Sequence, residues 1–70
     1  MTEINKEIKL IIIEQEKSAY ENSKYQLSLR HRVQKAIGGT PEQLKSIEDE
    51  MAKIEQALDE LDKIKGELNA

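Results

Sequence analysis

The amino-acid sequence predicts an all-α protein: an antiparallel, coiled-coil-like two-helix hairpin that assembles into a helical bundle as a homo-oligomer. Three observations lead there. Apolar residues recur at helical spacing along two long segments. Between the segments stands Gly38-Gly39-Thr40-Pro41, a helix stop followed at once by a helix start. And 36% of the residues are charged, with no Phe or Trp, only two Tyr, and a mix rich in Leu, Ile, Ala, Glu, Lys and Gln, which suits long helices.

The first helix is expected over about 4–37, roughly 50 Å long at 1.5 Å per residue. One stripe along it reads Ile4, Ile8, Ile11/Ile12, Gln15, Ala19, Asn22, Gln26, Leu29, Val33, Ile37; its ends are apolar and its middle small or polar. Laid against the second helix, this stripe would bring Val33 to Leu44, Gln26 to Met51, Ala19 to Leu58 and Ile12 to Lys65. A second stripe holds Leu10, Ile13, Tyr20 and Leu27, interleaved with Lys17, Lys24 and His31. Successive helical residues point about 100° apart, so the run from Leu10 to Ile13 spreads apolar side chains around most of the helix. A single neighbouring helix covers one face only. Ile8, Leu10, Ile11, Ile12, Ile13, Tyr20 and Leu27 are therefore the candidate interface for another chain.

The turn is expected at 38–40. Gly38 and Gly39 permit the left-handed backbone that commonly ends a helix. Thr40 offers a capping hydroxyl, Pro41 sits where a missing N–H costs nothing, and Gln43 three residues on completes a capping box. So short a connection forces the helices side by side and antiparallel.

The second helix is expected over about 41–68. Leu44, Ile47, Met51, Ile54, Leu58 and Leu61 step by threes and fours, the spacing of a coiled-coil seam. Lys65 interrupts the next seam position, with Ile64 and Leu68 keeping the end apolar. Asp49–Lys53 and Asp59–Lys63, acid four residues before base, support the helix locally. Residues 1–37 hold seven bases and five acids, residues 38–70 four bases and nine acids, a formal +2 against −5. Opposite signs favour pairing of the two helices, modestly.

Residues 1–70 thus form one small domain, short of core for its length. With no cysteine and a single histidine, disulfides, thiolate sites and a paired-ligand zinc site are excluded, leaving association as the remaining support. The four-residue apolar run Leu10–Ile13 is too short for a signal-peptide core of about 7–15 residues or a membrane span of about 20. The chain reads as soluble and cytoplasmic, with no membrane partner.

From Lys24 to Ile37 there are four bases and no acid. Arg30, His31, Arg32 and Lys35, with Tyr25 nearby for stacking, are the candidate anion-binding residues, for a nucleotide or RNA phosphate. The bland reading competes. Cations at a helix C-terminus complement its dipole, and Glu48, Asp49 and Glu50 would lie across the hairpin at this level. A net charge of −3 argues against general DNA binding. No catalytic residues, metal ligands or cofactors are expected: there is no Ser–His–Asp spacing, no phosphate loop and no ligand pair.

The segment Tyr25-Gln26-Leu27-Ser28-Leu29-Arg30-His31-Arg32-Val33-Gln34-Lys35-Ala36-Ile37-Gly38, followed by the Thr40-Pro41-Glu42-Gln43-Leu44 helix start, resembles small helical-hairpin accessory proteins of tailed bacteriophages, over about residues 20–62. The resemblance implies an assembly helper, a structural accessory or an inhibitor of a host factor. Prefoldin subunits and type III secretion needle subunits are also helical hairpins. This chain has no room for the prefoldin β-hairpins and lacks the needle family's Trp and Pro-rich turn. The expected role is a non-enzymatic, self-associating helical adaptor or assembly protein whose partners are itself and another protein; the alternative is the anion-binding module.

Overall fold

A computed structural model describes residues 5–70. The chain is an antiparallel hairpin of two α-helices, α1 (Lys6–Ala36) and α2 (Pro41–Asn69), measuring 55 × 18 × 15 Å. Helix α1 starts where Asn5, in extended conformation, accepts a hydrogen bond from the Ile8 N–H at 2.9 Å. An asparagine in that place satisfies one of the free amides of the first turn. The expected start at Ile4 lies outside the described residues.

The turn is built as its residues dictate. Ile37 closes α1 by donating to the Val33 carbonyl, and Gly38 takes φ +83°. The Gly39 N–H then reaches back to the Gln34 carbonyl at 2.6 Å, the six-to-one bond of a Schellman ending. The capping box of α2 is reciprocal: the Gln43 N–H donates to Thr40 Oγ1 at 3.2 Å, and the Thr40 N–H donates to Gln43 Oε1 at 3.0 Å. Thr40 and Pro41 so fix the first turn of α2 that the chain reverses without a longer loop.

Between the helices the packed face of α1 is the second stripe, not the first. Ile13 and Leu27 are 7% exposed, and on α2 Ile47 is 8% exposed. Leu10, Lys17, Lys24, His31 and Gln34 are half-buried on the same line. By contrast Ile8, Ile12, Gln15, Ala19, Asn22, Gln26, Leu29 and Val33 are all exposed. The expected contacts of Val33, Gln26, Ala19 and Ile12 with α2 are therefore corrected: α1 is rotated so that this stripe looks away from its partner helix.

The physical reason lies in the cations. Lys17, Lys24 and His31 are seven residues apart, and their partners Asp62, Glu55 and Glu48 are seven apart in the opposite sense. The contacts measure 2.9, 2.8 and 2.9 Å. Lys65, the apparent break in the α2 seam, donates to Glu14 at 2.7 Å and closes the same ladder at the far end. A lysine at a seam position lays its methylene stem along the apolar contact and carries its ammonium to the edge. With Ile13, Tyr20 and Leu27 between the cations, this face buries more hydrocarbon than one centred on Gln15, Ala19, Asn22 and Gln26. It also leaves no buried polar side-chain atom without a partner among the described residues.

The ion pairs join side chains displaced by two residues from the contacts expected of the turn. Glu14 rather than Ile12 lies opposite Lys65. No described helix is long and apolar enough to cross a membrane.

Candidate interaction face

Because α1 spends its second stripe on α2, the first becomes a continuous outer surface. Ile8, Ile12, Gln15, Ala19, Asn22, Gln26, Leu29, Val33 and Ala36 alternate spacings of four and three, all exposed and all uncharged. This is a second coiled-coil seam on the same helix, nearly opposite the first. It runs from Ile8 to Ile37, about 43 Å at 1.5 Å per residue. Ile11 and Val33 are each 56% exposed and Ile37 is 70% exposed. A shallow, open groove of about 720 Å³ lies beside its N-terminal half, lined by Leu10, Ile11, Gln15, Ser18, Ala19 and Asn22 and, toward α2, by the Glu14–Lys65 pair.

The surface is large for the mass. An 8.0 kDa chain folded compactly would expose about 4,450 Å², whereas this hairpin exposes 5697 Å². The excess, about 1,200 Å², exceeds the roughly 800 Å² each partner buries in a standard stable interface. Measured against its unfolded chain, at about 11,600 Å², the hairpin buries about half its surface, where a 60-residue domain buries about 60%. Three well-buried residues do not complete a core.

Of the residues expected to meet another chain, the structure separates two groups. Leu10, Ile13, Tyr20 and Leu27 lie on the stripe that meets α2; Ile13 and Leu27 are buried there, which corrects their assignment to an outside partner, while Leu10 is half-buried and Tyr20 stays 36% exposed. Ile8, Ile11 and Ile12 are exposed and remain available. Sequence reasoning did not place Leu29, Val33 and Ile37 on the free surface, although Leu29 stands three heptads from Ile8 and Val33 three from Ile12 and two from Ala19, which contained the signal for those two.

The basic cluster does not converge. His31 is turned inward, its Nε2 2.9 Å from Glu48. Arg30 and Arg32 differ by about 200° around the helix, so they leave α1 on different flanks. Arg30 lines a cleft with Glu50 and Lys53. Arg32 and Lys35 share a flank with the exposed Tyr25. Among the described residues Arg30, Arg32 and Lys35 form no ion pair, nor do Glu16 and Glu21. No three His, Cys, Asp or Glu side chains come together among them in a metal-binding group.

The ladder itself is electrostatically tuned. The hydrogen bond from Lys65 and its charge hold the Glu14 carboxyl below its ordinary value, and Lys24 does the same to Glu55. Asp62 raises Lys17 above its ordinary value. Glu14 and Glu55 face water and the half-buried Lys17 carries its ammonium to the edge, so these are salt-sensitive edge contacts that favour this face more than they supply stability.

The geometry defines an all-α helical hairpin with one unpaired seam. Compared with protein-family models, with curated proteins and with solved structures, the chain matches none.

Proposed function

We propose that this chain is a non-catalytic helical adaptor or assembly protein that self-associates through the outer seam of α1 and presents its remaining helical surface to another protein. The observation that carries this reading is the uncharged, exposed heptad stripe from Ile8 to Ala36. A surface of that length and composition on a monomer marks an interaction site. The resemblance to phage helical hairpins extends the proposal to an assembly helper or an inhibitor of a host factor. Phosphate binding draws less support, because Arg30 and Arg32 diverge and His31 already faces Glu48.

Light scattering across a concentration series tests the reading. The wild-type chain is expected to run as a dimer or larger species. Ile12→Lys, which sets a charge in the stripe while leaving the α2 face intact, is expected to give a helical monomer. A wild-type chain that stays monomeric at all concentrations would overturn self-association.

A further inference from the structure

We infer that the outer seams of two copies pair antiparallel, α1 against α1, with the two-fold axis close to Ser23 and with Glu16 of each copy facing Arg30 of the other. The inference rests on the self-association proposed above and assigns its orientation and register.

On the outer seam no core position is charged, so orientation falls to the flanking residues, as in any coiled coil. One flank reads Lys9, Glu16, Ser23, Arg30, Ile37, each seven residues from the next. Antiparallel pairing sets like flanks side by side. With the two-fold near Ser23, Glu16 meets Arg30, Arg30 meets Glu16, and Ser23 meets its own copy. Among the described residues neither Glu16 nor Arg30 belongs to an ion pair, although Arg30 lines a cleft with Glu50 and Lys53 of its own α2. A parallel pair would hold Glu16 and Arg30 about 21 Å apart along the axis and bring the two basic ends together.

The core follows in the same register. Ala19 lies level with Leu29 and Ile12 with Ala36, small residues against large, which allows close approach. Asn22 lies level with Gln26 on both sides of the axis, amide against amide, and such polar pairs specify register at some loss of stability. Gln15 meets Val33. Sliding one copy by a heptad would match Ile12 with Leu29 and Ile8 with Val33, a more apolar core. That slide also brings Lys9 beside Arg30 and takes Glu16 away from it, so charge decides against it. Helix α2 packs on the other stripe of α1 and borders this flank, where Ser23 and Arg30 line a cleft with Glu50, Lys53 and Ile54. The excess of about 1,200 Å² over a compact monomer leaves room for the roughly 800 Å² per copy that a stable dimer needs.

A charge exchange tests the pairing. Glu16→Arg alone places two Arg–Arg contacts in the homodimer and Arg30→Glu alone two Glu–Glu contacts. Each variant is expected to dimerise roughly tenfold more weakly than wild type at low salt. Mixed one to one, the two variants regain both attractive contacts and are expected to form a heterodimer of near wild-type affinity. As a geometric readout, Ala19→Cys and Leu29→Cys each carry a single thiol, since the native chain has no cysteine. Oxidised together, they are expected to give the mixed disulfide. A wild-type dimer whose charge variants show no rescue on mixing, or whose Ala19→Cys chains cross-link chiefly to themselves, would overturn the antiparallel pairing while leaving self-association standing. A monomeric wild type would overturn both.

Discussion

Leu27 and Leu29 are two residues apart on one helix, yet the fold gives them different work. Leu27 is 7% exposed against α2, and Leu29 is 47% exposed on the outer seam. Truncating each to Ala removes the same atoms and barely changes helix propensity, so any difference belongs to the face. Leu27→Ala strips a buried side chain from a core of few residues. Core Leu→Ala changes cost about 2–5 kcal/mol, and a two-helix contact that can partly collapse belongs near the lower end, about 2–3 kcal/mol. For a domain of this size 1 kcal/mol corresponds to about 4–8 °C in Tm, so a fall of roughly 10–20 °C is expected. Leu29→Ala removes a half-exposed side chain on the stripe turned away from α2 and should lie within about 0.5 kcal/mol of wild type in the Ile12→Lys background. Thermal and urea melts followed by circular dichroism, with both changes made in the Ile12→Lys background, read the hairpin alone. Under the proposed self-association, repeating the melts without Ile12→Lys at rising concentration should show the Leu29→Ala deficit growing and the Leu27→Ala deficit persisting. A Leu29→Ala loss equal to or larger than that of Leu27→Ala in the Ile12→Lys background would refute the rotation of α1 described here.

Two further outcomes are expected. Gly38→Ala forces a side chain into φ +83° at a cost of about 1–2 kcal/mol, whereas at Gly39 the difficulty is space: a Cβ would come within 2.8 Å of Gln34 Oε1 and 2.9 Å of the Gln34 carbonyl oxygen. Gly39→Ala should loosen the helix ending, and loss of slow amide exchange at the Gly39 N–H, with little change at Gly66, is the measurement. The ladder also predicts the response to pH. Glu14 and Glu55 have lowered values in the fold, so their contribution is present above the ordinary carboxylate value near 4.5 and is lost as pH falls through the lower folded values. Lys17 is raised, so its contribution is present below 10.5 and is lost as pH climbs through the higher folded value. Tm should therefore fall at both extremes and the acid limb should flatten in high salt, which a pH series of melts with and without added NaCl would show.

The sequence by itself determined the helical character of the chain, the position of its reversal and the antiparallel order of its helices. Those are local properties: a glycine free to adopt positive φ, a Thr40–Gln43 cap, a proline at the first turn, and a threes-and-fours repeat in α2. Each is written in neighbouring residues, and none needs to know what lies across the hairpin. What only the tertiary structure decided is which way α1 faces. Its two stripes are both heptad-spaced, and the outer one is the cleaner, since it carries no charge; an apolar-in reading therefore chose it for α2. The choice turned instead on pairs up to 51 residues apart in sequence, Lys17 with Asp62, Lys24 with Glu55, His31 with Glu48 and Lys65 with Glu14. A cation that reads locally as a break in a seam becomes part of the seam once its stem is packed and its head has an acid to meet. With the charged stripe turned inward to its partner helix, the uncharged stripe is left on the surface. The face left for the proposed association is thus set by how the two helices divide the faces of one of them.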